Sequence, residues 1–456
     1  MEIKITKVLK TVTREELQEE LITVLRGIGR FIGVKAPASL NKEDLIQAIL
    51  DIQDGKVKPI VNDKVGAPPK KVDINRFLVE DFNYFDYVKE SKNQYWELHD
   101  SNPAYDLFTA YGVFECHNDG YGFIRIDNYA ISYKDVFVAP DVIRKYNLRT
   151  GDYIKGQAIV KKQGERPTLH DISYINDIEP KYYENRLHFG ALKPDYPTDP
   201  IKLENPEIKA NDTLRMIDLI TPLGLGQRAL IVAPPKTGKT TILRNIAQAI
   251  EKKYSDVKLI VLLIDERPEE VTDFQRQVKS EVAFSTFDQT PNHHIKTAEL
   301  VLNRAKRLVE VGQNVVILMD SLTRLARAYN MTTESSGKTL TGGLDTNAMQ
   351  SPKHFFGAAR NVIFGGSLTI IATALIDTGS KLDDVIYEEF KGTGNMEIHL
   401  SRALAEKRTF PAIDIFKSGT RKEEELLDEH EQKSINQLRK FLYNKSDATD
   451  VLIEMI

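Results

Sequence analysis

The sequence is poor in cysteine and has no long apolar run. Its 456 residues include one cysteine, Cys116, which excludes an internal disulfide and fits a reducing compartment. No apolar stretch approaches the ~20 residues that a helix needs to span a bilayer. The first seven residues carry charges where a signal peptide needs an apolar segment. These absences predict a cytoplasmic protein without a membrane partner.

The sequence also lacks an excess of either charge. Its 62 lysines and arginines against 66 acidic residues give a formal net charge of −4. Any binding of nucleic acid must therefore depend on local positive charge and on stacking, because the whole chain is not a polycation. His117 follows Cys116, but two ligands without a second pair favour a structural role over a metal site.

Residues 233–240 form the most informative motif. They read Ala-Pro-Pro-Lys-Thr-Gly-Lys-Thr, between the apolar run 229–232 and a helical pattern over 241–250. This is the context of a phosphate-binding loop, in which backbone N–H groups and the positive end of a helix face an anion. Lys239 is expected to reach the β and γ phosphates, and the Thr240 hydroxyl to bind Mg²⁺. The alternative is an ordinary strand-to-helix turn, since alanine replaces the motif's first glycine.

Three apolar runs, 257–265, 314–320 and 368–375, alternate with helical patterns and predict a parallel sheet covered on both faces. Ligands bind beyond the carboxyl ends of the strands in such sheets. Asp320 ends one run and is expected to share the Mg²⁺ with the loop threonine, while Glu266 orients or activates the attacking water. The alternative for each acid is a cap on the following helix.

Four further cations are candidates for contacts with phosphate. Lys236 lies inside the loop, and Arg421 begins a charged run whose alternative is a solvated helix face. Lys338 and Lys381 each lie in a glycine-bearing loop. In an isolated domain both loops would be ordinary surface, whereas in a ring they would line a pore and hold a charged polymer.

The N-terminal part reads as a small helical domain. Asn41 and Asp44 repeat, less perfectly, the capping box of Thr13 and Glu16, and apolar residues follow each pair at helical spacing. Residues 55–106 then combine a proline-containing linker with aromatic and acidic residues. This stretch either docks on the protein's own surface or is disordered, and we favour both over contact with RNA because its acids repel phosphate.

Short, glycine-punctuated strands between 107 and 178 predict a five-stranded Greek-key barrel, a fold that commonly binds oligonucleotides. Tyr121, Phe123 and Arg125 alternate along one strand, so two rings and a cation share a face. Such a surface stacks single-stranded bases at about 1–3 kcal/mol each, and Phe137 is expected to extend it. The alternative is that these rings belong to the barrel core.

With these residues assembled, the chain resembles the family of bacterial Rho transcription termination factors. The resemblance rests on residues 232–240, 263–272, 320–330 and 385–396. It implies a homohexameric ring that hydrolyses ATP with Mg²⁺ when single-stranded RNA is bound. It further implies that the ring translocates along RNA, unwinds RNA–DNA hybrids and releases the transcript from the RNA polymerase elongation complex.

The resemblance assigns roles residue by residue. Residues matching the nucleotide-binding positions are Pro235, Lys236, Thr237, Gly238, Lys239, Thr240 and Thr241, with Phe410 packing on the adenine. Residues matching the catalytic and metal positions are Lys239, Glu266, Thr240 and Asp320, with Arg421 as an arginine finger donated across the subunit interface. This match outweighs the helix-face alternative for Arg421. Residues matching the RNA contacts are Tyr121, Phe123, Arg125 and Phe137 in the barrel and Lys338 and Lys381 in the central channel.

The expected organisation is a helical N-terminal domain over 1–54, an insertion over 55–106, an OB-fold barrel over 107–178, a connector over 179–211 and a RecA-like P-loop ATPase over 212–456. Compact family members lack the insertion, and Pro167 stands where the family commonly has a stacking tyrosine. Two other classes remain alternatives. One is a rotary-type ATPase subunit, and the other is an RNA-binding protein that uses its nucleotide only as a structural ligand.

Overall fold

The computed structural model describes residues 6–9, 14–18, 20, 22–32, 34, 40–53, 56–57, 78–81, 106–160, 166–183, 186–334, 337–363, 365–445 and 447–456. The chain divides into two compact units, residues 1–98 and 99–456. Most of the insertion expected over 55–106 lies outside the described residues, as does Thr13.

The first unit contains three helices and a two-stranded sheet. The helices are α1 (Arg14–Gln18), α2 (Ile22–Ile32) and α3 (Lys42–Gln53), and the antiparallel strands are β1 (Thr6–Leu9) and β2 (Leu78–Asp81). Leu17, Leu25 and Ile28 pack with the apolar face of α3. The helical spacing that runs through 17–28 is therefore shared by two helices, with a break after α1. Asn41 accepts a hydrogen bond from the Asp44 N–H and so caps α3 as expected.

The second unit begins with a closed five-stranded barrel, as the sequence predicts. Its strands, in the order in which they neighbour one another, are β3 (Asp106–Cys116), β4 (Gly122–Arg125), β5 (Val136–Val138), β7 (Thr168–Ile175) and β6 (Tyr153–Val160). Helix α4 (Pro140–Lys145) follows β5. A side chain at Gly122 would collide with the buried Phe114 ring, so glycine allows the hairpin to close over the core.

The remainder of this unit is an α/β domain built on a nine-stranded sheet. The strands are β8 (Pro194–Asp195), β11 (Arg228–Ala233), β12 (Val257–Glu266), β13 (Glu281–Thr286), β14 (Asn314–Asp320), β17 (Arg360–Val362), β18 (Ser367–Leu375), β19 (Met396–His399) and β20 (Gly419–Thr420). The main path runs β13-β12-β14-β18-β11-β19-β20, and its first six strands are parallel. The three apolar runs of the sequence are β12, β14 and β18, so the parallel-sheet prediction is confirmed.

Helices cover both faces of this sheet because its central strands are apolar on both sides. The helices are α5 (Asn211–Ile220), α6 (Lys239–Lys253), α7 (Pro268–Gln277), α8 (Pro291–Glu310), α9 (Leu322–Thr332), α10 (Gln350–Gly357), α11 (Lys381–Lys391), α12 (Arg402–Glu406), α13 (Glu429–Tyr443) and α14 (Ala448–Met455). Two short antiparallel strand pairs complete it: β9 (Pro200–Ile201) with β10 (Leu223–Gly224), and β15 (Thr339–Leu340) with β16 (Leu344–Asp345). Along β11, Leu230 and Val232 enter one apolar core and Ile231 enters the other.

The barrel docks on the α/β domain through α8 and β13. Asn128 exchanges two hydrogen bonds with the backbone of Phe284, and the Tyr129 hydroxyl bonds Glu281. The backbone of Gly151 lies against Asn303 so closely that a side chain there would collide with it. Within the described part of the chain, no helix combines the length and the apolar character needed to cross a membrane.

Candidate functional site

The loop between β11 and α6 has the backbone of a phosphate-binding loop. Lys236 and Gly238 adopt left-handed conformations, with φ of 67° and 89°, so the chain turns sharply before α6 begins at Lys239. The Thr237 hydroxyl donates to the Pro234 carbonyl at 2.7 Å and holds the loop closed. A helix N-terminus with free N–H groups behind such a turn favours a bound anion.

Asp320 lies at the carboxyl end of β14 and faces this loop. It is fully buried, and both of its oxygens accept hydrogen bonds from the Lys239 ammonium, at 2.8 and 2.6 Å. The Thr373 hydroxyl donates to Oδ1 at 2.7 Å, and the Thr240 hydroxyl lies 3.4 Å from Oδ2. The sheet therefore brings Lys239, Thr240 and Asp320 together, although they are 80 residues apart in sequence.

Glu266 ends the neighbouring strand β12 and is 3% exposed. Its pKa is raised to about 7, chiefly by burial and then by the nearby charge of Asp320, against the opposing effects of Lys239 and Arg324. Arg324 Nη1 is 3.3 Å from Glu266 Oε2, which accepts no hydrogen bond from the described residues. A buried carboxylate with an open lone pair and a pKa near neutrality can accept a proton from water.

The phosphate loop and Glu266 line one cavity of about 420 Å³. The phosphate loop forms one wall and the ends of β12 and β18 form the other, so the lining residues are Pro235, Lys236, Gly238, Lys239, Thr240, Thr241, Glu266, Arg267, Glu270, Arg324 and Leu375. The cavity lies beyond the carboxyl ends of the strands, where open α/β sheets bind their ligands. Its size and its cationic loop fit a nucleoside triphosphate.

Phe410 lies at the rim of this site. A side-chain carbon added at Gly238 would be 4.0 Å from its ring, and the ring is half exposed. An exposed ring beside the phosphate loop presents an apolar plane on which a nucleotide base can pack. Sequence reasoning placed Phe410 here only through the family resemblance, since it lies 172 residues from Gly238, the difference between the two numbers.

Arg421 lies at the opposite edge of the same sheet. The Arg421 backbone N–H donates to the carbonyl of Asn395, and the Asn395 side chain accepts a hydrogen bond from the Arg228 N–H. Arg228 is the first residue of β11, and the phosphate loop follows the last residue of that strand. Six residues of strand span about 20 Å, so the Arg421 side chain does not reach the cavity. It follows β20 and precedes a 3₁₀ turn, so the helix-face alternative is wrong.

The two lysine loops lie side by side. A side chain at Gly342, in the turn between β15 and β16, would be 2.8 Å from Leu382 N at the start of α11. Lys338 precedes that hairpin and Lys381 begins α11, and both are exposed. A cation at a helix N-terminus opposes the helix dipole, so Lys381 does not serve the stability of α11. Ser335 and Ser336 of the first loop lie outside the described residues.

Tyr121, Phe123 and Phe137 form one ring cluster on β4 and β5. Their ring centroids are 5.7 to 5.9 Å apart and the rings are half-buried. The Arg166 guanidinium lies 5.0 Å from the Phe123 ring centroid and is exposed. Half-exposed rings beside a cation suit stacking of single-stranded bases. Sequence reasoning missed Arg166, because the departure from the family pattern falls on the next residue, Pro167. The Pro167 carbonyl accepts a hydrogen bond from the Phe137 N–H.

The expectation that Arg125 offers its charge at this surface is wrong. Its side chain is 7% exposed and forms ion pairs with Glu115 at 2.6 Å and with the fully buried Asp135. Glu115 also pairs with Lys296 of α8 at 2.9 Å. The alternation along β4 places Arg125 on the same side as Phe123, but two carboxylates from β3 and the turn before β5 enclose its guanidinium. The Arg125 guanidinium lies 5.1 Å from the Phe123 ring centroid and therefore packs against this ring.

Comparison with known proteins accounts for both halves of this unit. Residues 110–181 match the family model described as the Rho termination factor, RNA-binding domain. Residues 213–420 match that of the ATP synthase alpha/beta family, nucleotide-binding domain. A prototypical ATPase from the type III secretion system of pathogenic bacteria is 26% identical to the chain, with a TM-score of 0.50, and covers 63% of this chain and 79% of its own.

Two curated relatives are much closer in sequence. The transcription termination factor Rho of Borreliella burgdorferi is 55% identical over 353 residues, which are 76% of this chain and 68% of that protein. The Escherichia coli protein of the same name is 53% identical over 351 residues, which are 76% of this chain and 84% of that protein. Since both halves of the second unit and most of the relatives' length are matched, the chain belongs to the family of transcription termination factors Rho.

Proposed function

We propose that the chain is an ATP-driven RNA translocase whose subunits form a homohexameric ring that pulls the transcript out of the RNA polymerase elongation complex. As a member of its family, the chain binds single-stranded RNA, hydrolyses ATP and terminates transcription. The ring, the polymerase as partner and the role of each residue are parts of the proposal. One observation carries it: the phosphate-loop cavity and Arg421 lie at opposite edges of one sheet.

The first half is the cavity behind the phosphate loop. Residues 235–241 cradle the phosphates through backbone N–H groups, while Lys236 and Lys239 supply positive charge and Phe410 packs on the adenine. Glu266 accepts a proton from the attacking water. Its raised pKa supports this role, because the carboxylate is poised to change protonation near neutral pH.

The donor set of Asp320 and Thr240 fits Mg²⁺. A fully buried carboxylate and a hydroxyl 3.4 Å away form an all-oxygen pair, and the Lys239 ammonium on Asp320 shows that the position attracts a cation. When bound, Mg²⁺ neutralises charge that develops on the phosphate oxygens. Thr373 donates to Asp320 Oδ1 at 2.7 Å and so fixes the plane of the carboxylate.

The second half is Arg421, which belongs to the cavity of the neighbouring subunit. In a head-to-tail ring, the edge of the sheet that carries Arg421 faces the cavity edge of the next copy. An arginine supplied in trans stabilises the transition state by roughly 10³–10⁵ in rate in other nucleotide hydrolases. Because the site is complete only between subunits, hydrolysis depends on ring assembly.

Each subunit binds RNA at two surfaces. The rings of Tyr121, Phe123 and Phe137 stack bases outside the ring of subunits, with Arg125 holding Phe123 in place. Lys338 and Lys381 hold the phosphate backbone inside the channel. Because their two loops lie side by side, both lysines can contact the same strand. Completion of the ATP site at each interface then shifts these loops along the strand.

Mixed rings test the proposal. The variants Arg421→Ala and Glu266→Gln should each lose most RNA-stimulated hydrolysis. Combined before ring assembly, they should recover activity, because some interfaces then unite an intact Glu266 with an intact Arg421 of the next subunit. Steady-state phosphate release measures the recovery.

A double variant provides the matched control. Rings that combine Arg421→Ala with Arg421→Ala/Glu266→Gln contain intact Glu266 but no intact Arg421, so they should stay inactive. Normal turnover by Arg421→Ala alone, or no recovery in mixtures whose hexamers are confirmed by native mass spectrometry, would contradict the role in trans.

A further inference from the structure

The aromatic cluster of the barrel continues beyond the three rings discussed so far. The imidazole of His117 lies parallel to the Tyr121 ring, with 4.6 Å between ring centroids and 11° between planes. Tyr121 in turn contacts Phe123 and Phe137 at 5.7 and 5.8 Å. His117 is therefore the end of a continuous set of four rings that crosses the β3–β4 hairpin.

The hairpin holds His117 firmly in this position. Its N–H donates to the Tyr121 carbonyl at 2.7 Å, and its carbonyl accepts from Gly120 N–H at 3.0 Å. On the ring, Nδ1 is 3.1 Å from Asp119 Oδ2. The ring is thus fixed in the free protein, so binding a base on it would cost little conformational entropy.

One face of the imidazole remains open. Tyr121 covers the other face, yet the His117 side chain is 51% exposed. A packing ring that served only the barrel would be buried, as Phe114 is. Every nucleobase has a π face that can stack on such a ring whatever its identity.

We propose that His117 is a further base-binding position of this protein, which stacks one nucleotide of single-stranded RNA beyond those held by Tyr121, Phe123 and Phe137. The inference rests on the proposed function of that cluster as an RNA-binding surface. It lengthens the bound segment in each subunit by one nucleotide. Because stacking reads only the π face, the added position accepts any base.

Substitution of the ring tests this position. Binding of short oligocytidylate RNAs by the intact ring is measured by fluorescence anisotropy, with a fluorescent adenine analogue placed at each position in turn. His117→Ala should weaken binding about tenfold, since stacking contributes about 1–3 kcal/mol per base. It should also abolish stacking quenching of the analogue at one terminal position only. His117→Phe should retain both the affinity and the quenching.

His117→Leu separates stacking from packing. Leucine still covers the Tyr121 ring but offers no π face, so it should behave like the alanine variant. Full affinity and unchanged quenching in His117→Leu would overturn the inference and leave His117 as a packing residue. Tyr182→Ala, which removes an exposed ring outside the cluster, is the matched control.

Phe123→Ala distinguishes failure of this inference from failure of the proposed function. If Phe123→Ala weakens binding while both His117→Ala and His117→Leu bind as the unsubstituted protein does, only the additional position is refuted. If Phe123→Ala also binds normally, the whole cluster is not an RNA-binding surface, and the position at His117 is refuted with it.

Discussion

Glu266 illustrates how one residue acquires its chemistry from its surroundings. It is an ordinary glutamate in the sequence, but the end of β12 buries it within reach of Asp320, Lys239 and Arg324. Burial raises its pKa most, the charge of Asp320 adds to the shift, and the two cations oppose it. At neutral pH the carboxyl group of Glu266 is therefore close to its pKa, so its protonated and deprotonated forms are both populated.

The pH dependence of hydrolysis should follow this group. A base must be deprotonated to accept a proton, so kcat/KM for ATP, which reports the free enzyme, should fall about tenfold for each pH unit below about 7. Steady-state rates measured from roughly pH 5.5 to roughly pH 8.5 test this pH dependence of kcat/KM. The range extends about 1.5 pH units to either side of the expected midpoint. Asp273→Asn, at an exposed acid on the adjacent helix, should leave the profile unchanged.

Stability should change in the opposite direction. Because the folded-state pKa exceeds the ordinary value of 4.5, the native protein holds this proton more tightly than the unfolded chain. Relative to Glu266→Gln, the free energy of unfolding should therefore decrease as pH rises from about 4.5 to about 7. A kcat/KM profile that is flat through pH 7 would remove Glu266 from the role of base.

Arg125 shows the limit of pattern at the residue scale. Alternation along β4 correctly placed it on the side of Phe123, but alternation does not specify what else reaches that side. Glu115 and Asp135 arrive there from other segments and enclose the guanidinium. The Arg166 guanidinium lies 5.0 Å from the centroid of the same ring and remains exposed.

At the scale of elements, helix α8 joins the barrel to the nine-stranded sheet. Its last residue, Glu310, is fully buried and pairs with Arg307 of the helix at 2.8 Å and with Arg149 of the barrel at 3.2 Å. Beyond the barrel, Glu310 pairs with Arg186 at 3.3 Å and accepts from Phe189 N–H at 2.7 Å. One carboxylate thus pairs with three arginines from three segments, and Asp152 also pairs with Arg186 at 2.7 Å.

Glu310→Gln should weaken this junction severely. Removing the charge leaves Arg307 and Arg149 without this partner, while Arg186 keeps its pair with Asp152, and breaking a buried pair costs about 3–5 kcal/mol. Thermal unfolding should shift to lower temperature, and amide hydrogen exchange should increase in α8 and at residues 186–191. Glu299→Gln, on an exposed part of the same helix, should change stability by less than about 1 kcal/mol. Equal stability of the two variants would contradict the role of Glu310.

At the scale of the whole molecule, the sheet keeps the phosphate loop and Arg421 apart. The phosphate loop, Glu266 and Asp320 follow the carboxyl ends of β11, β12 and β14, whereas Arg421 lies by the amino end of β11. No movement within a rigid sheet brings them together, so in the ring proposed above the arginine comes from a second copy. In that proposed ring, RNA held between subunits would control hydrolysis.

RNA stimulation should therefore depend on the channel lysines. Lys381→Ala should lose most of the increase in ATP hydrolysis that a cytosine-rich single strand produces, because one phosphate contact per subunit disappears. Phosphate release with and without the strand measures this. Lys391→Ala, at the other end of α11, should retain the stimulation. A rate that never responds to RNA in the unsubstituted protein would favour the rotary-type alternative.

The sequence by itself determined the elements of this protein. Apolar runs specify β12, β14 and β18, and the loop motif between an apolar run and a helical pattern specifies the nucleotide site, because these signals lie within a few adjacent residues. Glycine-punctuated strands specified the barrel. The domain boundaries expected from the sequence stay predictions.

Only the tertiary structure decided which distant residues meet. It placed Arg324 beside Glu266, Thr373 on Asp320 and Arg166 over Phe123, and it buried Arg125. None of these contacts leaves a local signal, since each joins side chains from different strands or loops. The geometry of the folded sheet and barrel sets such distances, and it is through these distances that burial and charge tune each group.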